Sequence, residues 1–354
     1  MAHLIRIFIV VLACLPAFAQ APAPTQGVPF LRLIWSRVAD YNGELGSVEC
    51  AEFSPDGRFL ASATKYSAEI AVWRVSDGSQ VWSAPAEQEV ERVAFSPDGK
   101  LLAAGAEDDL LRIFNAADGK LLTTVKHTEG IDSLRWSPDG TRLATGEETG
   151  IVRLWSIPDA KLLGEGKVGG PVNELDFTAD GKLLMAVGDP TGVRIYDTAT
   201  MRVTKVIATE GTAPRTAGRF SPDGKLVAAA GHEGVVRVWR LSDGKQLRLI
   251  NYTGQKVETL TFSPDGGYLL YAGHDPHIRV VRIQDWSLVH LSQPVDNAEY
   301  LTFSRNGSFV ASAHQDGVIR LWVWMRGDAA LNKRLHSELM KRQAEEDARS
   351  RGNR

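Results

Sequence analysis

The 354 residues are 44% apolar and 23% charged, the composition of a globular protein. A formal net charge of -3 removes any global electrostatic case for nucleic acid or an acidic lipid surface. The 33 glycines fit a turn-rich, all-β chain.

Residues 1–19 form a leader pattern. Arg6 gives a weakly positive start, Ile7 to Ala13 is wholly apolar, and Ala17-Phe18-Ala19 supplies the small-x-small motif before Gln20. This reads as a secretory signal peptide, with an apolar run too short to span a bilayer. The expectation is an exported protein, periplasmic or secreted, with no transmembrane segment in the mature chain. Cleavage leaves only Cys50 and so no intrachain disulfide. An alternative reads Val11-Leu12-Ala13-Cys14 as a lipoprotein processing site with the anchor on Cys14. It would leave the apolar Leu15-Pro16-Ala17-Phe18 beside the lipid. Residues 20–28, QAPAPTQGV, read as a linker with nothing to bury.

From here the chain repeats. A turn of the form Phe-Ser-Pro-Asp-Gly occurs at Phe53–Gly57, Phe95–Gly99, Trp136–Gly140, Phe177–Gly181, Phe220–Gly224, Phe262–Gly266 and Phe303–Gly307. The fourth copy has Thr178-Ala179 in place of Ser-Pro, and the seventh has Arg305-Asn306 in place of Pro-Asp. Each turn joins an apolar strand to a second one. A further turn leads to a third strand closing on Trp73, Phe114, Trp155, Tyr196, Trp239, Val281 or Trp322. A fourth strand follows a turn such as Ser76-Asp77-Gly78 or Ser242-Asp243-Gly244, where Asp-Gly suits a hairpin with positive φ. A repeat of 41 to 43 residues with four short strands predicts a propeller blade, and seven copies predict seven blades over 29–325. No fourth strand follows Trp322. The unused segment Phe30 to Trp35 is therefore expected to cross over and complete blade seven.

Residues 326–354 change character. Asp328 is placed to cap a helix, and Leu331, Leu335, Leu339 and Met340 make one apolar stripe. The expectation is a charged helical tail that docks on the propeller or mediates association with a partner.

These marks resemble the WD40-repeat family over residues 30–324: FSPDG at the first turn, Gly-x-x-(Asp)-Gly at the second, and Val-Arg-Leu-Trp in the third strand, as at Val152 to Trp155. With the leader, the chain looks like an exported member of bacterial type. The resemblance implies a seven-bladed propeller that serves as a platform for partners without catalysis. The family's Gly-His pair is reduced to Lys126-His127, and its second-turn Asp survives only at Asp108, Asp275 and Asp316. Its buried Asp–His–Ser–Trp network is accordingly expected to be largely absent.

No nucleophile elbow, phosphate loop or Cys-x-x-Cys is present, and no cofactor is expected. Cys50 lies in an apolar strand and reads as core. His232, His274 and His314 fall near the second turns of blades five, six and seven, with His277 close by. A metal bound by His274, Asp275 and His277 is one reading; polar turn residues are the other, because equivalent turns of neighbouring blades are too far apart to share an ion. Four residues before each opening aromatic stand Glu49, Glu91, Asp132, Asn173, Thr216, Glu258 and Glu299, five of the seven being carboxylates. On innermost strands they would gather at one mouth of the channel and favour a basic peptide. The bland reading is a solvated junction that recurs because the repeat does. Arg112, Arg153, Arg194, Arg237, Arg279 and Arg320 recur in the third strand without interleaved aromatic residues, so they are expected to pair with neighbours on the blade surface, and nucleic acid is not expected.

The expected function is a non-catalytic scaffold for a protein or peptide. The partner surface would be formed by Glu49, Glu91, Asp132, Glu258 and Glu299 with His232, His274 and His314. Two alternatives stay open: a propeller enzyme of the cell envelope, lactonase-like or quinoprotein-like, and a structural envelope component assembled through the tail.

Overall fold

The computed structural model describes residues 29–325 apart from 41–45, 158, 189–191, 208–214 and 252–254. The leader at 1–19, the linker at 20–28 and the tail at 326–354 lie outside the described residues. Among the described residues, 28 strands form seven four-stranded antiparallel sheets, in sequence order within six of them. No helix there is long and apolar enough to cross a membrane. The seventh sheet runs Phe30–Val38, Val318–Met325, Phe309–His314, Ala298–Phe303. The N-terminal strand thus supplies the outer strand of blade seven, as the missing fourth strand required. Its register runs from Phe30 opposite Met325 to Val38 opposite Val318. It also reaches the next blade: Trp35 Nε1 donates to the Val75 carbonyl (2.8 Å) and Arg37 Nε to that of Gly78 (3.0 Å).

The Ser-Pro-Asp-Gly turn is held by its own side chains. Ser54 Oγ donates to Asp56 Oδ1 (2.6 Å) and accepts the Phe59 N–H (2.9 Å), while Asp56 Oδ1 accepts the Arg58 N–H (3.0 Å). Gly57 follows at φ 70°, a conformation that costs glycine least. The altered copies keep this chemistry. Thr178 Oγ1 donates to Asp180 (2.7 Å), and Ser304 donates to Asn306 (2.8 Å). An oxygen acceptor at the third position is what the turn needs.

The core lies between blades. The second strand of every blade is buried at five successive positions, as a strand packed on both faces must be. Small residues such as Ala61, Ala103, Ala144 and Ala228 let the sheets approach there. Cys50, in the first strand of blade one, is also fully buried, and burial pushes its thiol up to about 12, so it is inert packing.

Two expectations are corrected. The Trp–hydroxyl bond of the blade survives in three blades. Trp73 donates to Ser62 (2.9 Å), Trp155 to Thr145 (2.9 Å) and Trp322 to Ser312 (2.8 Å). In blade three His127 Nε2 lies 2.9 Å from the same Thr145 oxygen, so the network keeps its Trp–hydroxyl bond in three blades and its histidine in one. The third-strand arginines do pair with neighbours, but they are not surface residues: Arg112, Arg153 and Arg237 are at most 8% exposed. Arg112 meets Asp108 (2.6 Å) and Arg279 meets Asp275 (2.7 Å), while Arg237 and Arg320 pair with Glu233 and Asp316. The surviving second-turn carboxylates therefore neutralise buried guanidinium groups.

A candidate binding site at the channel mouth

Each innermost strand pairs with its neighbour through a register slip, and the slip always skips one residue. The skipped residues are Glu49, Glu91, Asp132, Asn173, Thr216, Glu258 and Glu299. They are the seven positions of the sequence column. A bulge residue has no partner in the ladder, and its side chain is re-aimed away from the sheet face. All seven line one cavity of about 450 Å³ at the end of the channel, together with Lys65, Glu89, Arg92, Glu107, Glu148, Pro171 and Lys256.

The mouth holds less negative charge than a count of carboxyls gives. Burial, reinforced by Glu107 and Glu148, pushes Asp132 up to about 8. Burial and then Glu258 push Glu299 up to about 8. Burial and then Glu49 raise Glu91 well above the usual carboxylate range, and burial raises Glu49. At neutral pH Asp132 and Glu299 therefore mostly keep their protons. Lys65 pairs with Glu89, and Lys256 lies 2.6 Å from Glu258.

Beneath the rim a second group crosses the channel, and sequence reasoning missed it. Arg219 of blade five pairs with Glu174 of blade four and donates to the Tyr300 hydroxyl of blade seven (2.9 Å). Arg135 of blade three lies 3.7 Å from Glu52 of blade one and 3.4 Å from Asp176 of blade four. The Arg92 guanidinium sits 5.3 Å from the Tyr300 ring centroid. Burial raises Glu52 and Asp176, with Arg135 acting against it in both. The signal was available: these residues stand one or three places before the opening aromatic, on the same side of the strand by its two-residue period. Their identities change between blades, from Glu52 and Asp176 to Arg135 and Arg219 at one place and from Arg92 to Glu174 and Tyr300 at the other, so a search for repeats passes over them.

The three histidines do not converge. His232 is exposed in the second turn of blade five. His274 Nε2 lies 3.0 Å from Glu258 Oε1, on the rim. His314 is fully buried, and its assignment to a partner surface is corrected. Its Nδ1 lies 2.8 Å from the Asp296 carbonyl, which requires it to donate there; Nε2 then accepts from Ser312 Oγ (2.6 Å). Burial drives it down to about 4, so it is neutral. The reason is phase. His314 stands 11 residues after its opening aromatic, whereas His232 and His274 stand 12 after theirs. One residue along a strand changes the face. His277 Nδ1 lies 2.8 Å from the Ser292 carbonyl and joins no cluster with His274 and Asp275 among the described residues.

A family model described as the IFT122 first beta-propeller matches residues 89–338, and one described as WD domain, G-beta repeat matches 35–74. The chain belongs to the WD40 propellers. Relatives match over shorter stretches. The chain is 38% identical over 66 residues to small ribosomal subunit protein RACK1 of Candida albicans, covering 19% of this chain and 20% of that protein. It is also 38% identical over 73 residues to eukaryotic translation initiation factor 3 subunit I of Aspergillus terreus, covering 20% of this chain and 21% of that protein. These alignments span about a fifth of each relative's length. A WD40 propeller is typically a protein-interaction scaffold, and the wide, polar, rigidly framed mouth is compatible with that role.

Proposed function

We propose that this WD40 propeller is a non-catalytic scaffold that takes a basic segment of a protein or peptide into the mouth of its channel. The observation that supports this most directly is the set of seven bulges, which aim five carboxyl side chains at one cavity. An arriving Lys or Arg side chain would meet Glu49, Glu91, Asp132, Glu258 and Glu299 and draw the protons from Asp132 and Glu299, in a setting with less water than a flat surface, where charge pairing is stronger. The floor residues Arg92, Arg135 and Arg219 set the depth at which a cation stops being welcome.

The test is titration of the purified chain with a fluorescently labelled oligo-arginine peptide. Saturable binding that weakens with salt is expected, together with loss of about tenfold or more on the double reversal Glu91→Lys, Glu258→Lys. Unchanged binding by the double variant would remove the proposal.

We also propose that the protein acts after export. The support is the leader pattern of residues 1–19, and mass spectrometry of the natively produced protein should give a mature start at Gln20. A chain that retains Met1 to Ala19 would refute this part. The fungal relatives carry names from the ribosome and translation initiation; no such role is proposed for this chain.

A further inference from the structure

Where blades six and seven meet at the mouth, three potential ligands come together. A His274 ring nitrogen, a Glu258 oxygen and a Glu299 oxygen all lie within 4.8 Å of one another. We propose that they form a site for one borderline divalent cation of the zinc type. The inference goes beyond the basic-segment reading, and its test uses the metal alone, so either can fail without the other.

The donor set is one imidazole nitrogen and two carboxylate oxygens. That mixture suits zinc-like ions, whereas all-oxygen sets suit calcium or magnesium. Donor atoms around a tetrahedral ion with bonds of about 2.0 Å are about 3.3 Å apart, and His274 Nε2 and Glu258 Oε1 already lie 3.0 Å apart. Three protein ligands would leave a fourth position open toward the cavity.

The backbone holds two of these ligands in place. Val257 pairs with Gly273, and the His274 N–H donates to the Lys256 carbonyl (3.0 Å), which places His274 directly above Glu258. Gly273 permits the approach, because a Cβ there would collide with the Lys256 carbonyl oxygen. The Glu258 side chain is only 7% exposed, so its orientation is fixed by packing. The Gln315 amide donates to Glu299 Oε1, the kind of outer contact that orients a metal-binding carboxylate. Two other acid groups on the rim, Glu49 with Glu89 and Glu91, and Glu107 with Asp132 and Glu148, contain no histidine. They carry no such proposal and serve as controls.

One group opposes the ion. The Lys256 ammonium lies 2.6 Å from Glu258 Oε1 and occupies the charge that a cation would use. Its side chain is 29% exposed, so it can swing into solvent, at the loss of one partly exposed ion pair. Lys256 is in this respect a competitor for the site.

The experiment is equilibrium dialysis and calorimetry of the metal-free full chain with zinc chloride alone. One tightly bound zinc per chain is expected. His274→Ala should weaken it at least about tenfold, as should Glu258→Gln. Lys256→Met should tighten it several-fold, a change that a merely structural role would not produce. Glu107→Gln should leave it unaltered. Thermal melts would confirm that each variant is folded, and His274, on an accessible turn, is the substitution that disturbs packing least. Absence of saturable one-to-one binding, equal binding by His274→Ala, or weaker binding by Lys256→Met would each overturn the proposal.

Discussion

Asp132→Asn should stabilise this protein, and increasingly so as pH rises above 4. In the folded chain burial, Glu107 and Glu148 push the Asp132 carboxyl from its usual 3.8 up to about 8. Between those two values the native state holds a proton that the unfolded chain has released. Stability then falls as pH rises through the interval, and is fully retained only below pH 4. The gap of about four units corresponds to roughly 6 kcal/mol at about 1.4 kcal/mol per unit. Asp132 still meets channel water, which screens the charge, and we halve the figure to about 3 kcal/mol. Asn has the same shape and cannot ionise, so the variant escapes the penalty. The assay is a series of thermal melts of both proteins from pH 4 to pH 9. The difference should be near zero at pH 4, grow through neutrality, and level off above pH 8 at about 5 °C in favour of Asn. A difference that does not change with pH, or a variant that melts lower at pH 9, would refute the reasoning.

Two further substitutions probe the architecture. Arg219→Met removes the partner of Glu174 and the donor to Tyr300 while leaving an acidic group buried; a loss of about 3–5 kcal/mol in urea unfolding is expected, and a loss below 1 kcal/mol would mean that the channel floor is wetter than its geometry implies. Asp40, 1% exposed, accepts the backbone N–H groups of Ser47, Tyr66 and Ser67. Asp40→Ala should cost about 3 kcal/mol by orphaning them, read as a lower urea midpoint at constant slope.

Much of the fold was legible because its determinants are local. The FSPDG turn needs a hydroxyl, an acceptor oxygen and a glycine within five residues, and each copy carries them at a fixed period. The closing strand was legible by subtraction, since no fourth strand of blade seven follows Trp322. The rim column was legible too, as a recurrence of carboxylates. The bulge that aims it was not, because a bulge is a mismatch between two strands and leaves no mark on either one. Nor was the charge state, which depends on how deeply Asp132 and Glu299 are set among other acids. His314 was misplaced by one residue of phase. The approach of Glu299 to His274 and Glu258 joins adjacent blades, and a period of 41 to 43 residues hides such contacts by treating every blade alone.

The strand that completes blade seven has a consequence in time. Phe30 pairs with Met325, so residues 39–297 are all synthesised between the first strand of that sheet and its other three. Blades one to six contain all their own strands and can be assembled in the order they emerge. Blade seven has to wait, its N-terminal strand unpaired, until the last of its four strands has been made. Bringing such distant segments together is entropically slow, and during that wait Phe30–Val38 presents a bare ladder edge. The molecule is therefore most open to wrong partners not when it is old or heated, but in the interval before the strands from Ala298 to Met325 have joined the sheet.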